Sequence, residues 1–214
     1  MDKENVLTEP TSPVFLDSGQ FGKVFKVFDK GLGIDVAVKE INAEIDGVKN
    51  ERVFNKAFSE INTILQLHNH ANIIRFHHYD VRGNTVRITT EYCQYGTLKT
   101  YLKENKNASD LRLMVSFMQQ GASAIAYMHK NDPPIVHRDL KAKNILVKEE
   151  MFGHVLKIID FGMARCYNIQ ESLDCNYEGK DCNYVALDVL MLGRVFRKML
   201  EGVMNGKSEN GIAG

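Results

Sequence analysis

Apolar and polar positions alternate in three short runs between residues 14 and 41, with "DKGLGID" as the turn before "VAVKEI", the pattern of half-buried strands. From Arg52 to Leu67 the rhythm changes: Val53, Phe54, Ala57, Phe58, Ile61, Ile64, Leu65 and Leu67 recur at three- and four-residue steps, predicting an amphipathic helix packed on that sheet. Two more strands follow in "IIRFHHYD" and "TVRITTEYC", turned around Gly83-Asn84. Beyond them the chain reads as helical. "GTLKTYLKEN" opens a short helix, and Leu113, Val115, Phe117, Met118, Ala122, Ile125, Ala126 and Met128 mark a mainly buried one from about Leu111 to Lys130. Pro133-Pro134 ends helix, "ILV" and "VLKIIDF" read as short strands around a charged loop, and a last helix runs from about Val185 to Val203.

In that last helix Val189, Leu192, Val195, Phe196, Met199, Leu200 and Val203 share one face while Arg194, Arg197, Lys198 and Glu201 gather on the other, which predicts a half-exposed helix. The reading is thus an α+β chain: a flexible segment 1–13, a small β-rich lobe 14–93, a helical lobe 94–204 and a frayed tail 205–214.

Composition narrows the functions open to such a chain. Lys+Arg and Asp+Glu both total 27, so no overall basic footprint suggests nucleic acid or an anionic membrane, and any phosphate recognition must be local. No apolar run approaches the ~20 residues of a membrane span. "MDKENVLTEPTSP" has neither an apolar signal core nor a Met-Gly start, so a cytoplasmic protein is expected. Cys93, Cys166, Cys175 and Cys182 lack metal-site spacing and read as reduced thiols.

Two stretches carry candidate chemistry. In "LDSGQFGKV", Gly19 and Gly22 either turn a hairpin or let backbone N–H groups approach a phosphate chain. "HRDLKAKN" at 137–144 could be an ordinary charged surface loop, but Asp139 with Asn144 five positions on, "DFG" at 160–162 and "VAVK" at 36–39 fall in one order on fitting elements. In these motifs the chain resembles the protein kinases over about residues 14–200, nearly its whole length.

That resemblance implies a bilobal protein-kinase-like fold, ATP and Mg2+ as cofactors, and a protein substrate, with Ser or Thr favoured over Tyr because Lys141 follows "HRDL". Gly19, Phe21 and Gly22 would cover the phosphates, with Leu16, Val24, Ala37 and Leu146 around the adenine. Thr90 would be the gatekeeper, and Glu91 to Cys93 the backbone that bonds adenine. Lys39 would hold the α- and β-phosphates, paired with Glu60 in preference to Glu51. Asp139 would orient and deprotonate the substrate hydroxyl, Lys141 would steady the transferred group, and Asn144 and Asp160 would bind magnesium. Ile64, Phe76, His137 and Phe161 match a stacked regulatory spine. Asp188 matches the buried anchor of the catalytic loop, and Arg138 could meet a phosphate on Tyr167, Ser172 or Tyr177.

The chain also departs from the family. Asp17 replaces the first loop glycine, no A-P-E follows DFG, and the chain stops after the helix around Asp188, so the large lobe is expected to be truncated. A minimal active kinase, a pseudokinase-like binding module and a fragment of a longer kinase are all compatible with this. A monomer is expected, with room for a partner or dimer contact around Leu190 and Met191.

Overall fold

A computed structural model describes residues 12–19, 22–45, 47–166 and 183–209. Phe21, Tyr167, Ser172 and Tyr177 lie outside the described residues. The chain divides into two compact units, one of residues 1–65 and 75–92, the other of 66–74 and 93–214.

The first unit is built on a five-stranded antiparallel sheet. In chain order its elements are β1 (Val14–Gly19), β2 (Gly22–Asp29), β3 (Ile34–Asn42), a small hairpin of β4 (Glu44–Ile45) and β5 (Val48–Lys49), α1 (Glu51–Leu67), β6 (Phe76–Arg82) and β7 (Thr85–Glu91). The sheet order is β1-β2-β3-β7-β6. Helix α1 begins where the Asn50 side chain accepts the Val53 N–H at 3.2 Å, an N-cap that satisfies one of the four donors a helix start leaves open. Its apolar stripe then closes on the sheet: Ala57 and Ile61 pack with Ile41, Val86 and Ile88, flanked by Val53, Phe54, Phe58 and Phe76. Each large side chain so buried contributes about 1.5–3 kcal/mol.

The second unit holds α2 (Leu98–Glu104), α3 (Leu111–His129), β8 (Ile135–Val136), β9 (Ile145–Glu150), β10 (Gly153–Ile158), β11 (Arg165–Cys166) and α4 (Tyr184–Glu209). Asp110 caps α3 by accepting the Arg112 N–H at 2.8 Å. Met114 and Phe117 of α3, Val195, Met199 and Val203 of α4, Leu98 and Tyr101 of α2, and Ile145, Val147 and Leu156 of the β9–β10 hairpin form one core. Strands β8 and β11 pair antiparallel, Ile135 with Cys166 and Val136 with Arg165.

Three sequence expectations change. Residues 66–74, expected in the small lobe, belong to the second unit: Asn72 donates to Gln120 Oε1 at 2.9 Å and to the Leu156 carbonyl at 3.1 Å, and Ile73 bridges Ile158. Cys93, placed at the end of the small lobe, also falls in the second unit. Helix α4 continues past Val203 through Asn205 and Gly206 to Glu209, because an interior glycine costs a helix only about 1 kcal/mol and does not by itself end one. Among the described residues no helix is long and apolar enough to cross a membrane.

Candidate functional site

In the first unit, strand register fixes which side chains share a face. Lys39 stands opposite Val24 on β2 and Ile88 on β7, and Ala37 stands opposite Lys26 and Thr90. Cross-strand neighbours point to the same side of a sheet, so Val24, Ala37, Lys39 and Thr90 lie on the face that α1 covers at its Ile41–Ile88 end. Glu60 on α1 meets Lys39 there, with Nζ 2.7 Å from Oε1 and 2.9 Å from Oε2. Glu60 is 4% exposed, and a carboxylate taken that far out of water is stable only when paired. Glu51, the weaker candidate, binds Lys49 instead at 2.9 Å.

The two loop glycines have different reasons. Gly22 has φ +143°, and a Cβ there would collide with the Glu40 carbonyl of β3. Gly22 is therefore required by the close approach of two strands. Gly19, paired with Gly22 in register, has nothing within 4 Å of where its Cβ would be, so no packing among the described residues demands a glycine there. Asp17 turns its carboxylate onto the neighbouring backbone, accepting the Ser18 N–H at 2.8 Å beside a bulge in β1. Leu16 is exposed, while Val24, Ala37 and Thr90 are half-buried.

Glu91 behaves differently from the expectation that it only lends backbone to a ligand. Its N–H donates to the Arg75 carbonyl at 3.0 Å, and its buried carboxylate accepts the Arg75 N–H at 2.9 Å, a two-way clasp from β7 onto the segment leading into β6. In the second unit Cys93 is buried and its carbonyl accepts the Gly96 N–H at 3.2 Å, closing a turn. Leu146 is half-buried on β9 and bridges Thr97.

The charged loop 137–144 is held from behind by one residue. Asp188, fully buried on α4, accepts the His137 N–H through Oδ2 and the Arg138 N–H through Oδ1, each at 2.8 Å, and lies 3.0 Å from His129 Nε2. Arg138 adopts φ +66°, a left-handed backbone that a non-glycine residue keeps only where surrounding bonds enforce it. Its guanidinium donates through Nε to the Met163 carbonyl at 2.7 Å and lies over the Tyr184 ring at 5.5 Å. The His137 ring, also fully buried, approaches the Ile159 carbonyl at 2.9 Å through Nε2 and accepts the Asp139 N–H at 3.3 Å through Nδ1, an arrangement that suits the neutral Nε2–H tautomer. Burial pushes the His137 pKa below its usual value, against the opposing pull of the Ile159 carbonyl and of Asp188. Phe161 packs on this ring at 5.3 Å between centroids.

These anchors present Asp139, Lys141 and Asn144 together. Asp139 Oδ2 accepts from Lys141 Nζ at 2.7 Å and from Asn144 Nδ2 at 2.9 Å, while Oδ1 takes neither bond. Asn144 Nδ2 also donates to the Asp139 carbonyl at 2.9 Å. With the amide nitrogen so committed, the amide oxygen is the atom turned toward any cation. The Ile159 N–H donates to the Asn144 carbonyl at 3.0 Å, placing Asp160 beside Asn144 at the base of the β9–β10 hairpin, where Asp160 takes φ +65°. Among the described residues no cluster of three or more His, Cys, Asp or Glu could hold a metal by itself. One carboxylate and one amide oxygen do suit magnesium, which keeps waters and takes further oxygens from a phosphate ligand.

Comparison with known proteins agrees with this geometry. Residues 14–198 match the family model described as protein kinase domain. Among curated proteins, the chain is 34% identical over 171 residues to the probable serine/threonine-protein kinase WNK4 of Arabidopsis thaliana, covering 76% of this chain and 29% of that one. It is 34% identical over 151 residues to the MAP kinase kinase kinase SSK2 of Saccharomyces cerevisiae, covering 71% and 9%. With the serine/threonine-protein kinase 33 of Mus musculus it shares 33% identity over 157 residues, covering 70% and 30%. The chain thus spans less than a third of the length of each of these relatives.

Proposed function

The chain belongs to the protein kinase family, and from that premise we propose that it transfers the γ-phosphoryl group of ATP to a serine or threonine hydroxyl of a protein substrate. The observation that carries this is the Asp139–Lys141–Asn144 constellation held on backbone that Asp188 fixes. Asp139 Oδ1 receives the hydroxyl proton as the new oxygen–phosphorus bond forms and the bond to departing ADP breaks. Lys141, one bond from the same carboxylate, neutralises charge on the group in transit. Asn144 and Asp160 would hold magnesium, which when bound supplies positive charge to the phosphate oxygens. Lys39, oriented by both oxygens of Glu60, would meet the α- and β-phosphates. Among the described residues Gly19 has no packing reason to lack a side chain, and close passage of a phosphate chain provides one.

The Ser/Thr preference rests on Lys141 and on the printed names of relatives such as those from Arabidopsis and mouse. The test is transfer of radiolabelled γ-phosphate from ATP with magnesium, followed by phosphoamino-acid analysis, with Asp139→Asn as control. Phosphoserine or phosphothreonine that vanishes in the control supports the proposal. Phosphotyrosine alone overturns the preference, and no transfer by folded protein that still gains thermal stability with ATP and magnesium overturns the activity in favour of a nucleotide-binding module.

A further inference from the structure

The loop that carries Asp139 turns sharply just after it: the Asn144 N–H donates to the Lys141 carbonyl at 2.8 Å, a four-residue turn with Ala142 and Lys143 at its corners. Ala142 is buried, and its carbonyl accepts the Lys99 N–H at 3.0 Å, which ties the first turn of α2 to the loop. Lys143, between Ala142 and Asn144, is exposed. Lys99 is exposed as well, and Lys103 follows it on the same side of α2 one turn later, again exposed. Three lysines thus form a stripe that starts at the turn holding Lys141 and Asn144 and continues along α2.

The charge of this stripe is uncommitted. In the same loop and the adjoining hairpin, Lys141 lies 2.7 Å from Asp139, and Lys157 and Lys148 lie 3.3 Å and 3.8 Å from Glu150. Among the described residues Lys99, Lys103 and Lys143 make no ion pair, and Glu104 stands a further 100° round α2 from Lys103. In a chain of zero net charge the stripe is a local positive surface. What passes over it follows from the proposed phosphoryl transfer, on which this inference rests. A substrate whose hydroxyl reaches Asp139 runs on in both directions at about 3.3–3.6 Å per residue, so the residues within about four of the acceptor cross the surface around the turn. We propose that Lys143, Lys99 and Lys103 select protein substrates with Asp or Glu close to the phosphorylated residue. An acidic flank gives these ammonium groups the partners they lack, whereas a basic flank brings like charges together.

Three peptide libraries with a central serine or threonine test this, one with Asp and Glu in the flanking positions, one with Lys and Arg, and one with Gln and Ala. With the whole chain, ATP and magnesium, kcat/KM should be about tenfold higher for the acidic library than for the neutral one at about 50 mM salt, and the gap should close at about 500 mM as the charges are screened. Lys99→Gln combined with Lys143→Gln should cut the acidic preference to about twofold or less, while transfer to the neutral library and the melting temperature hold. Lys99→Glu combined with Lys143→Glu should turn the preference toward the basic library. Equal rates on the three libraries, a wild-type preference for basic flanks, or an acidic preference that both double variants retain would each overturn the assignment while leaving the transfer reading in place. Transfer to no library, by protein that melts cooperatively, would remove the transfer reading itself and this inference with it.

Discussion

The candidate residues of the two units are positioned by different means. Lys39 sits in a strand and Glu60 in a helix, and their meeting follows from register on β3 and the apolar stripe of α1. Asp139, Lys141 and Asn144 sit in a loop with no repeating backbone bonds, and their meeting depends on a carboxylate 49 residues after Asp139 that captures two loop N–H groups. The first kind of site inherits its precision from secondary structure. The second concentrates it in one buried anchor.

Breaking that anchor should have the largest effect. Asp188→Ala leaves the His137 and Arg138 N–H groups buried without their acceptor, and should cost about 3–5 kcal/mol in urea unfolding and on the order of a hundredfold or more in phosphoryl transfer. Unchanged stability and rate would show that the loop holds its shape unaided. Lys39→Met should lower transfer by roughly 10²–10³-fold and leave Glu60 buried without its cation, costing about 1–3 kcal/mol. Glu60→Gln, which keeps a hydrogen-bond partner for Lys39, should do distinctly less, and equal losses would contradict a positioning role.

The glycines sharpen the comparison within the first unit. Gly22→Ala should destabilise by about 1–3 kcal/mol through its positive φ and the Glu40 carbonyl, whereas Gly19→Ala should change stability by under about 0.5 kcal/mol and raise KM for ATP. Equal melting temperatures for the two variants would remove the distinction.

The smallest expected effect is that of acid. His137 and His70 in the second unit and His77 in the first all have pKa values lowered by burial. Below about pH 6.5 the unfolded chain binds protons at these rings that the folded chain refuses, so stability is full above that pH and declines as pH falls beneath it. Melting temperatures from pH 8 to 5 check the sign, and His70→Gln should shallow the decline.

What was legible in the sequence follows the same division. Periodicity located α1 to within one residue of its start; the charge in an otherwise apolar strand asked for a partner to Lys39, and the choice of Glu60 came with the family resemblance. The loop residues were found through motif order, and their support by Asp188 came with the resemblance rather than from any local pattern. The allegiance of residues 66–74 was not legible, because Asn72 is placed by hydrogen bonds to Gln120 and Leu156, partners 48 and 84 residues away, and hydrophobic rhythm carries no such information. Nor was the need for glycine at position 22, which arises from the backbone of a neighbouring strand. The outer side of α4 was missed in part: Val189 and Leu200 were read with the buried stripe but lie beside it, exposed.

The β9–β10 hairpin joins Asn144 at one foot to Asp160 at the other, with Ile145 paired to Ile158 at its base and Met151 and Phe152 almost wholly exposed at its tip. Residues added at the tip extend the ribbon outward and leave the pairing at its base in place. The same short piece of chain therefore separates two structural demands, holding its feet to a fixed spacing while leaving its tip open to an inserted peptide tag.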